Sequence, residues 1–368
     1  SAASDARKSL RFVAHADLLE FDPGAEQRGE ITHEAAEVDA TLGGEENREL
    51  APVPLPFGVG QLHHEMVRLY AFHRLAACIL VLRRQLAVEL LVGFRGEAQR
   101  GPGALGEHLR MLWLTPAQDR LFAGPGSDRR RFLDRMVTAF DPEHAARITV
   151  FEKVMRERNL LLEETRPDAA WLSSLEAHMA EAAVAISAAR LVGLEALQTH
   201  IGEGRETSSF PWAEVAVEGE IEALVAQKPA VQVEDEYRRI LRDSRGLDRA
   251  AGRTLRGPHR SDLEVVHGPK RMAAGQCSTG EQKALLIGLV LAQARAVKAG
   301  AGVAPILLLD EVAAHLDRAR RKSLLEALAA LGSQSWMTGT DAQLFEAMVE
   351  TGVIFHVEDG RISQAMED

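Results

Sequence analysis

The sequence predicts an α/β protein in which helices cover a sheet of apolar strands and a long helical lobe is inserted. In the last third of the chain, helical patterns alternate with short, fully apolar strands, an order that favours a parallel sheet covered on both faces. The middle third has long runs rich in Ala, Leu, Glu and Arg with the apolar spacing of paired amphipathic helices. The composition, 46% hydrophobic and 26% charged over 368 residues, is that of a globular protein.

The first part of the chain, residues 1–101, gives no clear pattern of strands and helices. Proline and glycine interrupt any period, and acidic residues cluster over residues 30–49. A helix is the best prediction for residues 63–89. After Gly103 the pattern changes, and the apolar run over 111–114 predicts a short buried strand that Pro116 ends.

The remaining elements follow from the period of the apolar residues and from Gly and Pro stops. Helices are predicted over 127–140, 145–164, 169–201 and 234–244, and weaker strands over 215–221 and 231–233. The last third is predicted to contain a helix over 278–300, a strand over 305–309, a helix over 318–331, a strand over 335–337, a helix over 343–349 and a terminal hairpin over 353–362.

Composition excludes several classes of protein. The two cysteines, Cys78 and Cys277, form no staple pattern, so a reducing compartment is expected and a structural zinc site is not. The longest apolar stretch, residues 75–94, is interrupted by charged residues that are costly at the centre of a bilayer. Residues 1–8 lack the pattern of a secretory signal, so a cytoplasmic protein is expected. The net charge of -11 leaves room for a local basic groove.

The strongest candidate site is the apolar strand over 306–309 and the two acidic residues that follow it. A buried parallel strand presents a carboxylate at its carboxyl end, where α/β sheets bind ligands, so Asp310 is a candidate Mg²⁺ ligand beside a nucleotide. Glu311 would orient or deprotonate an attacking water. Taken alone, the pattern equally suits a core strand that ends in an acidic loop.

Two neighbouring motifs make this site more specific. Asp317 follows in the string Ala-His-Leu-Asp, and the string Cys-Ser-Thr-Gly-Glu-Gln over 277–282 precedes the strand. As local structure, residues 278–281 form a helix capping box. The free amides of such a helix start also suit an anionic phosphate, and Gly280 allows a close backbone approach.

These motifs, in this order, resemble the RecF family of ATP-binding-cassette ATPases in the chromosome-maintenance branch. Further blocks resemble the same family: 114–119 with the arginines of 129–135, Lys153 with 158–161, and the string Gly-Pro-His-Arg-Ser-Asp-Leu over 257–263. The resemblance extends from about residue 104 to residue 362. It implies an ABC-type, SMC-like ATPase head with a mixed sheet and an inserted helical lobe.

The resemblance also implies a division of the chain and a set of site residues. Residues 102–144 and 226–368 would form the ATPase lobe, 145–225 the helical lobe, and 1–101 an incomplete or poorly ordered part of the ATPase lobe. The head would dimerise around ATP and Mg²⁺, with Asp310 in the metal site, Glu311 as catalytic base and Asp317 in the dimer contact. The signature residues of one subunit would close on the γ-phosphate held by the other: Ser278, Thr279, Gly280, Glu281 and Gln282.

The family resemblance further implies a weak DNA-linked ATPase that binds single- and double-stranded DNA at gaps as an ATP-dependent homodimer. Cooperation with RecR and RecO in loading RecA would follow. The candidate DNA contacts are Arg129, Arg130, Arg131, Arg135 and Arg260. For the first four of these arginines, ion pairs with Asp128 and Asp134 on the helix surface are an equally good interpretation.

One family motif is missing. No Gly-x-x-x-x-Gly-Lys-Ser/Thr string, whose amides and lysine would cradle the phosphates, occurs anywhere in the sequence, and Lys8 is the sole lysine before residue 102. One hypothesis is a relative that binds DNA or partners without nucleotide. Another, favoured by the abrupt boundary near Gly101, is that residues 1–101 are out of the family's reading frame. A transporter ATPase subunit is disfavoured by the blocks over 129–135 and 257–263. It is also disfavoured by the string Thr-Gly-Thr-Asp over 338–341, where a transporter would have a switch histidine after the final strand.

Overall fold

The computed structural model describes residues 10–14, 110–203, 205, 208–340, 345, 352–358 and 361–364, which all belong to one compact unit. The predictions for residues 63–89 and for the rest of 1–101 apart from 10–14 lie outside the described residues. The helix predicted over 343–349 does so too, apart from Phe345.

The described elements confirm most of the predicted order. The strands are β1 Leu10–Ala14, β2 Met111–Leu114, β3 Ala213–Glu218, β4 Asp262–His267, β5 Met272–Ala273, β6 Ile306–Leu309, β7 Ser335–Gly339, β8 Val353–Glu358 and β9 Arg361–Gln364. The α-helices are α1 Gly126–Phe140, α2 His144–Glu163, α3 Ala169–Glu203, α4 Glu220–Val225, α5 Ala230–Ala251, α6 Thr279–Ala301 and α7 Arg318–Leu331. Short 3-10 turns occupy Pro116–Gln118, Pro258–Arg260, Gly268–Lys270, Ala274–Gln276 and Val312–His315.

The main sheet has six strands in the order β2-β6-β7-β1-β8-β9. Strands β2, β6 and β7 are parallel, whereas β1, β8 and β9 pair antiparallel with their neighbours, so the sheet is mixed as expected. Arg11 of β1 pairs with Gly339 and Ala14 pairs with Trp336. The carboxyl end of β1 therefore lies at the sheet edge opposite the carboxyl ends of β2, β6 and β7.

Helix α6 is the centre of the main core. Most of its residues are buried, among them Leu285, Leu286 and Leu289, and they form one cluster with Leu307 of β6 and Leu112 of β2. By length and composition α6 is apolar enough to cross a membrane, but 67% of its most apolar window is buried inside the protein. A helix that is apolar all round is explained by such burial in a core.

The prediction of a strand over 231–233 is wrong, because these residues lie in the first turn of α5. Val233, Tyr237 and Leu241 are fully buried at helical spacing and pack in a second core with Met179 of α3. The β-branched residues at the start of α5 favour a strand only locally, and the apolar stripe that continues along the helix overrides them.

Arg158 of α2 joins the helices around the second core from within. Its guanidinium is fully buried and donates to Glu176 Oε1 at 3.1 Å, to Asp248 Oδ2 at 2.8 Å and to the Leu241 carbonyl at 2.7 Å. It also donates to the Thr254 hydroxyl at 3.0 Å, so helices α2, α3 and α5 meet at one charge. Arginine suits this place because its planar fork offers five donors in a rigid arrangement.

Replacing Arg158 with methionine tests how strongly this buried network stabilises the packing of α2, α3 and α5. Arg158→Met leaves Asp248 buried without its ion pair and removes one partner of Glu176. We expect a loss of about 3–5 kcal/mol in the free energy of unfolding, measured by urea titration. Arg242→Met on α5 is the matched control, since Arg242 is exposed and pairs with exposed Asp243, and should cost at most about 0.5 kcal/mol. Equal losses of unfolding free energy in the two variants would show that the buried network contributes no more to stability than an exposed ion pair.

Candidate functional site

Asp310 and Glu311 follow β6 at the carboxyl end of the parallel strands, and Thr338 of the adjacent strand β7 joins them. The Thr338 hydroxyl donates to Asp310 Oδ1 at 2.5 Å and accepts the Glu311 N–H at 3.0 Å. The Asp310 N–H donates to the carbonyl of Leu114, the last residue of β2, at 2.9 Å. Three neighbouring strands therefore fix the backbone on either side of the two carboxylates.

The carboxyl group of Asp310 is suited to a cation. Burial raises its pKa, and the charge of Glu311 adds to this, while the Thr338 hydroxyl and Lys283 act in the opposite direction. A half-buried carboxylate with a raised pKa gains from a nearby positive charge. No cluster of three or more His, Cys, Asp or Glu side chains occurs among the described residues. Asp310 thus fits Mg²⁺ that is bound by one carboxylate and substrate phosphates, and not a cage of protein ligands.

Glu311 has an unusual backbone conformation. Its φ of 50° and ψ of 24° lie in the left-handed region, which a residue other than glycine seldom adopts. The Lys283 ammonium donates to the Glu311 carbonyl at 3.3 Å and to Asp119 Oδ2 at 3.3 Å. Such strain persists where the surroundings fix it, and it is frequent at functional sites.

The signature helix α6 begins with the predicted capping box. The Ser278 N–H donates to Glu281 Oε2 at 3.0 Å, and Ser278 stands at the N-cap. Lys270 lies 2.5 Å from Glu281 Oε1, and this contact, with the bond from Ser278, lowers the pKa of Glu281 to about 2. Glu281 therefore stays ionised at the helix start, where a negative charge is favourable.

The other signature residues differ in how exposed they are. Gln282 is buried and donates to the Cys277 carbonyl at 2.8 Å, so its amide braces the turn before the helix. Ser278, Thr279 and Gly280 are exposed, and a Cβ added to Gly280 would meet nothing within 4 Å. Glycine in a helix costs up to about 1 kcal/mol relative to alanine, and the space around Gly280 gives no reason for it within the described part of the chain.

Asp317 is exposed and caps helix α7. Its carboxylate accepts the Arg320 N–H at 2.9 Å, which explains the residue without any partner. Asp317 and the exposed signature residues Ser278, Thr279 and Gly280 are not joined to Asp310 or Glu311 by any hydrogen bond or ion pair in the described residues. The structure therefore brings Asp310 and Glu311 together and leaves these other predicted residues on separate helix starts.

The residues described do not supply a phosphate cradle. A phosphate loop of this kind follows a strand and lies at the carboxyl ends of the parallel strands, the edge where Asp310 is found. Strand β1 is next to β7 but runs antiparallel to it, so Ala14 is at the opposite edge. The described residues therefore suit a cation at Asp310, but they do not by themselves form a binding site for a nucleoside triphosphate.

The arginines predicted to contact DNA are held in different ways. Arg129 makes a bidentate pair with Asp262, at 2.9 Å from Nε and 2.5 Å from Nη2, and also donates to the Gly124 carbonyl at 2.6 Å. Arg130 donates to the Ser261 carbonyl at 2.6 Å, and burial lowers its pKa. Both side chains tie α1 to the start of β4, and Arg129 uses its Nε, Nη1 and Nη2 donors within the chain.

The other three arginines are more varied. Arg135 lies over the ring of Trp113, 4.6 Å from its centroid, and burial lowers its pKa to about 10. Arg131 is 78% exposed and pairs with Asp128, as the ion-pair interpretation expected. Arg260 is exposed, and no hydrogen bond of its side chain is found in the described part of the chain. The carboxylate of Asp134 pairs instead with Arg190 at 2.8 Å and with His144 at 3.0 Å.

Thr338, Lys283 and Asp119 were not predicted as site residues. The sequence does contain a signal for Lys283, because this charged residue directly precedes the apolar run over 284–292. In the structure its side chain is only 5% exposed. Thr338 lies near the carboxyl end of β7, beside β6, and this position identifies it as a neighbour of Asp310 and Glu311. Nothing near Asp119 in the sequence links it to residues of α6.

Replacing Asp310 with asparagine should stabilise the protein at neutral pH. Because the folded pKa of Asp310 is raised, the stability contributed by its carboxyl group is complete at low pH and is lost as the pH rises through the folded pKa. Asparagine still accepts the Thr338 hydroxyl but carries no charge. We expect Asp310→Asn to raise the free energy of unfolding by about 1 kcal/mol near pH 7.5, and the gain to vanish towards about pH 4.

Thermal and urea unfolding across this pH range would measure the effect. Asp317→Asn is the control, because asparagine caps helices as well as aspartate does and Asp317 is exposed. A gain in both variants, or a gain in Asp310→Asn that persists at low pH, would contradict the role of burial at Asp310.

Comparison with known proteins places these features in one family. No family model matches the chain. The chain is 50% identical over 268 residues to DNA replication and repair protein RecF of Allorhizobium ampelinum, which covers 73% of this chain and 71% of the relative. The identity to RecF of Rhizobium meliloti is also 50% over 268 residues, with the same coverage. The protein of the same name from Brucella abortus is 49% identical over 257 residues, 70% of this chain and 67% of its own.

The fold has solved counterparts. The chain is similar to the structure of the recombination mediator protein RecF-ATP in the RecFOR pathway, with a TM-score of 0.63, 23% identity, and coverage of 74% of this chain and 72% of that chain. A second structure, of RecF-ATPrS, matches equally well. The ABC-type fold class is thus confirmed, and the identity to the curated relatives extends over most of each chain. The chain belongs to the RecF family of DNA replication and repair proteins.

Proposed function

We propose that this protein acts in the cytoplasm as a RecF-type mediator of recombinational gap repair. In this role it binds single- and double-stranded DNA at gaps, forms an ATP-linked homodimer, and works with RecR and RecO to load RecA. The observation that carries the proposal is the 50% identity to RecF proteins over 73% of the chain. The solved RecF-ATP and RecF-ATPrS structures of the RecFOR pathway support its nucleotide and pathway parts.

The nucleotide part assigns roles to the residues at the sheet edge. Asp310 would hold Mg²⁺, which supplies positive charge next to phosphate oxygens when bound. Glu311 would take a proton from the attacking water, and its backbone is fixed for this by Thr338 and Lys283. The exposed amides at the start of α6, around Ser278 and Gly280, would meet the phosphate of the second subunit, and Asp317 would lie in the contact between subunits.

A second candidate function is a relative that binds DNA and partners without nucleotide. It is favoured by the missing Gly-x-x-x-x-Gly-Lys-Ser/Thr string and by the direction of β1. Under this alternative, Asp310 and Glu311 are retained at the sheet edge but do not turn over ATP. The two candidates predict the same DNA binding and opposite results for nucleotide.

Nucleotide binding separates the two candidates. We expect the wild-type chain to bind ATP in the presence of Mg²⁺ and to dimerise more strongly with it. Glu311→Gln should keep that affinity and lower the turnover rate by about 10²–10⁴-fold, the usual contribution of a general base. Equilibrium dialysis with ATP, sedimentation and phosphate release measure the three quantities.

Glu326→Gln is a suitable comparison for Glu311→Gln, because it makes the same exchange at an exposed glutamate of α7, next to Lys322. If it reduces turnover as strongly as Glu311→Gln does, Glu311 has no special role as a base. If the wild-type chain binds no ATP at all, the second candidate function replaces the first.

Two of the candidate DNA contacts, Arg131 and Arg260, are exposed and allow a test of DNA binding. Arg131→Ala and Arg260→Ala should each weaken binding to gapped DNA, and each should reduce the slope of log affinity against log salt by about 1, because one phosphate contact is lost. Neither change should alter the melting temperature. Fluorescence anisotropy with a gapped duplex at several salt concentrations gives both numbers.

Arg242→Ala is the control for loss of an exposed arginine elsewhere, on helix α5. An equal reduction of affinity in Arg242→Ala would mean that net charge alone matters. Arg129→Ala would lower stability instead, since it breaks the pair with Asp262. Binding that is unchanged in both Arg131→Ala and Arg260→Ala would remove these residues from the DNA surface.

A further inference from the structure

Lys283 is a buried charge beside Glu311, and the packing of α6 alone does not explain it. It lies in the second turn of α6, and its side chain is 5% exposed. Burying an ammonium group is costly unless it is paired and hydrogen-bonded. A methionine or leucine would fill the same place beside the apolar residues 284–292 at no such cost, so packing alone does not explain the charge.

The two partners of the Lys283 ammonium belong to separate elements at the sheet edge. One is the carboxylate of Asp119, in the turn after β2, and the other is the backbone carbonyl of Glu311, after β6. Each lies 3.3 Å from the lysine nitrogen. The side chain therefore connects the first turns of α6 to the loops that follow two parallel strands.

The bond to the Glu311 carbonyl has a specific geometric effect. The peptide group before Glu311 is fixed by its N–H bond to Thr338, and the peptide group after it is fixed by the bond from Lys283. With both neighbouring peptide groups fixed, the φ and ψ angles of Glu311 are fixed as well. This explains how a non-glycine residue is held at a φ of 50°, and it sets the direction in which the Glu311 side chain leaves the backbone.

We propose that Lys283 is a positioning residue that sets the direction of the Glu311 carboxylate and couples it to the start of α6. Ser278 and Gly280 are one turn before Lys283 on the same helix, so a displacement of the helix start moves the ammonium and with it the Glu311 carbonyl. The inference rests on the proposed role of Glu311 as the base, while the conformational link from Lys283 to Glu311 is independent of turnover.

Hydrogen exchange of the full chain tests the conformational link directly. Lys283→Met keeps the length of the side chain and removes the ammonium group. We expect backbone exchange in the segment 310–316, followed by mass spectrometry, to become at least about tenfold faster, because the loop then opens more often. Lys283→Arg retains donors for both partners and should restore slow exchange.

Lys298→Met is the matched control. Lys298 is on the same helix and also donates to a backbone carbonyl, that of Leu331 at the end of α7, at 2.7 Å. Its removal should speed exchange near Leu331 and leave the segment 310–316 unchanged. Exchange in 310–316 that is unaffected in Lys283→Met, or equally fast in Lys298→Met, would overturn the proposal.

Nucleotide turnover gives the second readout and separates this inference from the proposed function. We expect Lys283→Met to lower kcat at least about tenfold at unchanged ATP affinity, a division that a general loss of stability would not produce. If the wild-type chain binds no ATP, the proposed nucleotide function fails, and the exchange result alone decides whether Lys283 positions Glu311. If exchange rises but kcat does not fall, the link exists and the positioning role is wrong.

Discussion

The burial of most of helix α6 in the main core is the constraint on which the candidate site depends. The helix starts at an exposed cap, passes between the sheet and the neighbouring helices, and is apolar on almost every face. Because it is packed on all sides, its axis and rotation are fixed, and a side chain in its second turn is delivered to one place. That place is the loop after β6, where the ammonium of Lys283 meets the backbone of Glu311.

The sheet edge shows how several modest interactions combine into a rigid arrangement. One hydroxyl, that of Thr338, serves both acidic residues, since it donates to the carboxylate of Asp310 and accepts the N–H of Glu311. Together with Lys283 they hold a strained backbone and a half-buried carboxylate whose pKa is raised by burial. A site of this kind sacrifices local stability for a fixed direction of its charged groups, a compromise that is common where chemistry or ligand binding occurs.

Much of the fold could be predicted from the sequence, because it follows from patterns along the chain. The strand Ile306–Leu309, the helix Arg318–Leu331 and the cap at Ser278 are set by local periods and stops, and all were predicted correctly. The strand expected over 231–233 was not, because a helical stripe further along decided its structure. The roles of Thr338, Lys283 and Arg129 depend on contacts between distant residues, such as Arg129 with Asp262, which no local pattern contains.

The long helix α3 has a mechanical consequence. It runs for 35 residues, about 50 Å, and belongs to both cores. Met179 and Ala183 pack in the second core, whereas Leu194 and Leu197 pack beside α6 in the main core. Near one end Glu176 is clamped by Arg158 and Arg245, and further along Arg190 is clamped by Asp134 and Glu222. A rod clamped at two points cannot bend between them at low cost. A displacement of the second core is therefore passed along α3 to the main core, and the helix acts as a stiff connection between the two.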